Sequence, residues 1–263
     1  MLNILSAITF TPIPAFTVDF LVLAGGGGAN TSAEQSGGGG AGGLRSSVDA
    51  TGGLGTLETS LSLFKGTNYT VTVGGGGAIA AQGGNSVFST ITSTGGGLGA
   101  PRNTNGGNGG SGGGGGDFGA PSSGGIRTPS PVQGFDGGTG FGDSGGGGGG
   151  AGGVGGNSSG ATPGGRGAAL SNNITGSSVN YGQGGRGGDD STGALSPANS
   201  GKGGDAGPHP TTRAGGSGVV ILRYPDTLTI SFGGGVTGSE SGASGGYKRA
   251  TITAATAGTV SWS

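Results

Sequence analysis

Cysteine is absent, so no disulfide staples the fold and no thiolate is available to bind zinc or attack a substrate. Charge is scarce too. Eleven basic side chains face twelve acidic ones, and charged residues make up 9% of the chain. That balance offers no basic surface for general nucleic-acid binding. Aromatic residues are 5% and apolar residues 29%, too few to fill a large conventional core. No apolar run reaches the roughly 18 residues that a membrane helix needs. The start, Met1 to Ile8, is apolar, but the first basic residue is Arg45. The basic segment of a secretory signal is therefore missing, and we expect a chain made without a leader and with no membrane insertion.

What the sequence has in excess is glycine, 77 of 263 residues, roughly four times an average share. The main tracts are residues 25–28, 37–40, 74–77, 112–116 and 145–150, and residues 95–218 are almost entirely glycine tract and polar loop. Between the tracts lie short runs of β-branched and aromatic residues bounded by Gly, Asn and Ser, which predict strands. In Thr17 to Ala24, Val18, Phe20 and Val22 face one way and Leu21 and Leu23 the other, so cover is expected on both sides. Further strands are expected at Leu57–Phe64, Tyr69–Val73, Val87–Ile91, Val219–Tyr224, Leu228–Phe232, Tyr247–Thr253 and Thr259–Trp262. No helical pattern of useful length exists.

Two readings of the tracts compete. One is a flexible Gly/Ser linker. The other is a packed array of extended glycine helices with three residues per turn. Such a helix makes no internal hydrogen bonds, so its backbone groups point outward and must pair with neighbours. Only glycine lets the backbones approach closely enough. A stretch as long as 95–218 is too long for an ordered structureless loop, and the array is the expectation. The fold class is then all-β and irregular, with antiparallel strands framing a polyglycine-II-like array. We divide the chain into an apolar arm at residues 1–16, a glycine-rich domain at 17–225 and a small C-terminal β-module at 226–263.

In such an array the glycines carry no chemistry, and the turns hold nearly all the side-chain information. A rigid scaffold presenting polar loops is a recurrent design for recognition. The candidate receptor-facing residues are Arg102, Asn105, Phe118, Arg127, Phe135, Phe141, Asn173, Tyr181, Asp189 and Asp190. The aromatics among them either stack on a ligand ring or plug the space between glycine helices. The competing reading makes all of these the turns of a structural rod.

Catalytic and cofactor chemistry finds little support. Leu21-Val22-Leu23-Ala24 runs into Gly25 to Gly28 as a strand runs into a dinucleotide loop. The third glycine is Asn30, however, and no helix follows. Lys202 lacks the Ser or Thr of a phosphate loop. His209, the one histidine, sits between two prolines and reads as a turn residue. Asp189, Asp190 and Asp205 are the residues for a calcium site, but the nine-residue repeat of calcium-binding β-helices is missing. No carboxylate pair has the look of a glycosidase site. We expect no enzyme, no metal and no cofactor.

A set of landmarks in order gives the chain a resemblance. Phe20-Leu21-Val22-Leu23-Ala24 with Gly25 to Gly28 opens it, followed by Gly37 to Leu44. Tyr69-Thr70-Val71-Thr72-Val73-Gly74 precedes Gly83-Gly84-Asn85-Ser86-Val87-Phe88, and Gly215 to Pro225 closes it. Across residues 17–225 the chain resembles the glycine-rich domain family found in tail fibre, adhesin and other virion proteins of tailed bacteriophages. The resemblance implies a virion structural protein of the tail fibre or its tip, with loops that bind a bacterial surface protein or glycan. It implies other virion proteins, or copies of the chain itself, as further partners. The alternative is a purely structural subunit of a capsid appendage, fibre shaft or extracellular bacterial filament. There the apolar arm, with Leu2, Ile4, Leu5, Ile8 and Phe10, would add to a neighbour.

Overall fold

A computed structural model describes residues 14–30, 35–117, 119–188, 194–207 and 213–263. Residues 1–13 of the 1–16 arm, Phe118, Asp189, Asp190 and His209 lie outside the described residues. Among these residues regular structure is almost wholly strand, mostly short and antiparallel, with one three-residue 3-10 turn at Gly52–Leu54. The sheets form no closed barrel.

The first sheet is built on β1 (Ala15–Leu23), which pairs with β9 (Val219–Pro225) on one side. On the other side β1 pairs with β2 (Leu44–Ser46) and β3 (Leu61–Phe64). β12 (Tyr247–Ala255) joins β9, and β11 (Val236–Glu240) is the edge. The second sheet runs β10 (Ile230–Phe232), β13 (Gly258–Trp262), β4 (Tyr69–Thr72), β5 (Ser86–Phe88) and β6 (Ile91–Ser93). A hairpin of β7 (Leu170–Asn172) and β8 (Val179–Tyr181) stands apart.

The alternation of β1 explains its central place. Val18, Phe20 and Val22 join Val220, Leu222, Ile252 and Trp262 in one buried cluster between the two sheets. Leu21 and Leu23 join Leu44, Ile174, Tyr181, Val219 and Ile221 in a second cluster on the opposite face. Both faces are covered, as the sequence predicts. Trp262 anchors the first cluster, with Phe16, Tyr69, Phe88 and Tyr224 ring centroids 5.5–6.4 Å away. Residues 226–263 contribute to both sheets and to this cluster, through β12 on β9 and β13 on β4.

Three expected strands are shorter or divided. Leu57 is exposed and the strand starts only at Leu61. Leu228 is buried, but its strand starts at Ile230. The run at Val87–Ile91 is a hairpin, because Ser89 takes a left-handed φ of 52° and reverses the chain between β5 and β6.

The tracts belong to neither sheet. They run back and forth, and their hydrogen-bond partners rotate with a period of three residues. Gly37, Gly40 and Gly43 donate to Ala100, Gly97 and Thr94. Gly38 and Ala41 donate to Gly146 and Gly149, and Gly39 and Gly42 to Gly204 and Gly201. Residues 24–29 do the same toward 43 and 40, 84 and 81, and 216 and 213. These segments are bonded to one another on all sides, so the linker reading does not hold for them. The spacing also explains the composition. A Cβ built on Gly27, Gly39 or Gly112 would lie under 3.0 Å from a neighbouring backbone carbonyl.

Candidate functional site

The hydrogen-bond registers sort the connecting loops onto two ends. One end abuts the sheets, since residue 24 follows β1, residue 43 precedes β2 and Gly218 precedes β9. The other end gathers around Gln35 and Ser36. Asp117 N donates to Gln35 O, Gly188 N to Ser36 O, and Gly37 N to Ala100 O just before the 101–105 turn. Ser158 Oγ donates to Ser144 O and accepts from Phe141 N, which joins the 141–144 turn to the one at 159–162. Residues 102–105, 119–121, 141, 143 and 159–162 are exposed at this end. Asn103 and Asp143 hold left-handed φ angles of 57° and 74° there, as tight reversals require.

The sequence-derived candidates divide between the ends. Arg102, Asn105 and Phe141 lie at the far end, and Phe141 is 51% exposed. Arg127 and Phe135 lie on the flank toward the sheets. The Arg127 guanidinium sits 5.8 Å from the Phe135 ring centroid and 3.5 Å from Asp136 Oδ2. Asn173 turns the hairpin between β7 and β8, beside the sheets, where Arg249 Nε donates to Ile174 O. Tyr181 is a correction. It is 6% exposed within the second core cluster, so it plugs the scaffold and presents no ring to a ligand. Burial pushes its phenol above the ordinary tyrosine range. Phe118, Asp189 and Asp190 fall outside the described residues.

Side chains finish the array where backbone partners run out. Asn85, Asn105, Asn108, Asp136 and Asn157 each accept, through Oδ1, from the backbone N–H of Gly95, Ser123, Ile126, Arg127 and Thr139 respectively, at 2.8–2.9 Å. Each stands in for a carbonyl of a missing neighbour, which is why polar residues interrupt the glycines at these places. Asn105 thus has a structural bond as well as exposure.

One buried ionic node ties the array together. Asp205 is fully buried and accepts from Arg166 at 3.0 and 2.6 Å and from the backbone N–H of Arg186 and Ala194. Lys202 Nζ lies 3.1 Å from it. Burial works against the Asp205 carboxylate, but the Arg166 bond and the Lys202 charge outweigh it and hold it below the usual range. Desolvation lowers the Lys202 ammonium in spite of Asp205. Both Asp205 oxygens are spent on these partners, which ill suits a calcium ligand. Sequence reasoning missed this node, as it missed Gln133 and Asn172. Gln133 Oε1 accepts from Thr94 N, and buried Asn172 Nδ2 donates to the carbonyls of Val48 and Ala50. All of these bonds except those within 194–205 span many residues in sequence, and no local pattern announces them.

Among the described residues no group of three or more His, Cys, Asp or Glu is placed to hold a metal ion. No curated protein and no solved structure matches the chain. The description that does match is that of the glycine-rich domain, over residues 5–225, and the chain belongs to that family.

Proposed function

We propose that this protein is a non-enzymatic attachment module in which a glycine stem holds a rim of polar loops away from a β-sheet base. In this reading the tracts are extended three-residue helices of the polyglycine II type. Their period-three hydrogen bonding supports it, as does the absence of space for a Cβ at their contacts. The setting is the surface of a virion, at a tail fibre or its tip, and the target is a bacterial surface protein or glycan. The observation that carries the reading is the sorting of exposed loops onto one end, with Arg102, Asn103, Asn105, Phe141 and Asp143 gathered opposite the sheets. Side chains there lie outside both core clusters and face solvent, where a rigid scaffold can present them for recognition.

A second reading, a structural subunit of a fibre shaft, capsid appendage or extracellular filament, draws on the edge strand β11 (Val236–Glu240), which among the described residues pairs on one side only. Immuno-electron microscopy of native particles separates the two. Label confined to fibre tips, with cell adsorption abolished by Phe141→Ser and Arg102→Ala together, is the expected result. Label at regular intervals along a shaft or filament overturns the attachment reading.

A further inference from the structure

A groove on the flank of the array, away from the far-end rim, has the chemistry of a ligand site. It has a volume of 440 Å³ and is lined by Gln82, Thr94, Asn108, Ile126, Arg127 and Pro129, with Gly109 and Thr128 in its wall. Ile126 is 61% exposed and forms an aliphatic platform. Around it stand planar polar groups with capacity to spare. Asn108 uses its Oδ1 on Ile126 N, and among the described residues no partner takes its amide nitrogen. Arg127 has five donors and one long ion pair, to Asp136 Oδ2 at 3.5 Å. Gln82 Nε2 makes two bonds of 3.5 and 3.4 Å, at the outer limit of hydrogen bonding, and its Oε1 has no partner among the described residues.

The wall's backbone decides what kind of ligand fits. Gly109 N donates to Ile126 O and Thr128 N to Gly109 O. Ile126 N and Arg127 N are taken by Asn108 and Asp136. An extended peptide docks by pairing with free backbone groups, and these four amides are already spent. Recognition must come from side-chain amides and a guanidinium around an aliphatic surface. That set matches a ligand with many hydroxyls on a ring that has C–H faces. We propose that this flank groove binds a saccharide chain, at a site separate from the far-end loops.

The test uses the full chain against a printed array of neutral and uronic-acid-containing oligosaccharides, followed by titration calorimetry on the hits. Three variants are measured beside the wild type: Gln82→Ala, Ile126→Ser and Phe141→Ser. Each is first shown to melt near the wild type. The expected result is a saccharide hit that Gln82→Ala and Ile126→Ser each weaken by about tenfold and Phe141→Ser leaves unchanged. Loss of one or two hydrogen bonds or of the platform accounts for that factor. No hit up to millimolar sugar overturns the proposal. So does a hit lost in Phe141→Ser and kept in the groove variants, which assigns the sugar to the far-end rim. The attachment reading is tested by adsorption and labelling, so either can fail alone.

Discussion

Gly39→Ala is the sharpest test of the array. Gly39 N donates to Gly204 O, its carbonyl accepts from Gly185 N, and Gly204 N donates to Gly27 O, each at 2.8 Å. A Cβ on Gly39 would lie under 3.0 Å from the Gly27 carbonyl and from Gly204 N. Both obstacles are backbone, so no side chain can swing aside. The neighbouring segments must part and open at least two of these bonds. Each opened bond leaves a buried amide or carbonyl unpaired at about 1–3 kcal/mol, so two of them cost about 2–6 kcal/mol. Whole domains are stable by only about 5–15 kcal/mol. For a chain of this size the melting temperature should fall by about 4–24 °C. Gly165→Ala is the control. Gly165 is exposed, has an ordinary φ, and its Cβ would meet nothing within 4 Å. That change should be neutral or stabilise by up to about 1 kcal/mol, because alanine restricts the unfolded chain. Thermal melts followed by circular dichroism decide the matter. Gly39→Ala melting within about 2 °C of the wild type would falsify the tight-array argument, since even the smallest predicted shift is about twice that.

Three further outcomes follow from the packing and the ion node. Trp262→Ala empties the space between four aromatic rings and should cost about 3–5 kcal/mol, read as a lower denaturant midpoint. Asp205→Asn breaks a buried charge set and should cost about 3–5 kcal/mol at neutral pH. The wild-type carboxyl is held low in the folded state, so the unfolded chain binds more protons as pH falls through the carboxylate range. Stability from Asp205 is therefore full above about pH 4 and lost below it. The Asn variant should lack that acid-dependent part of the loss, and an unchanged slope in a pH series of melts counts against the node. Asn172→Ala leaves the carbonyl of Ala50 and the N–H of Ile174 without their partner and takes one donor from Val48 O, which keeps Ser46 Oγ and Ala50 N, and should cost about 2–4 kcal/mol in the same assay.

The strands that alternate strongly were legible in sequence. β1, β4, β9 and β13 carry β-branched and aromatic residues, and their faces settle where each side chain goes. β2, β7 and β8 were not, because Leu44-Arg45-Ser46, Leu170-Ser171-Asn172 and Val179-Asn180-Tyr181 are too short to show a period. β11 was missed for another reason. Its Val-Thr-Gly-Ser-Glu carries one apolar residue, and pairing with β12 holds it in place. The tracts were legible as an array by a backbone argument, since unpaired amides are too costly to bury. The arrangement of the loops was not. Arg127 and Phe141 both sit in short polar breaks between glycine tracts, and only the register of distant tracts sends one to the flank and the other to the far end.

The period of three also constrains how such a sequence can change. One residue added inside residues 37–43 rotates every later position of that segment by a third of a turn. Donors that met residues 94–100 would then face 145–150, and all three neighbours would be lost together. Insertions and deletions inside a tract should therefore persist only in multiples of three. Whole excursions are a different case. Asn105 and Ser123, Asn108 and Ile126, Thr139 and Asn157, and Asn199 and Ser217 are each bonded across 18 residues, the length of one trip out and back. A pair of segments can be gained or lost at the periphery as a unit while the sheets keep their register. Lineages of this architecture should differ in the width of the stem far more readily than in its height.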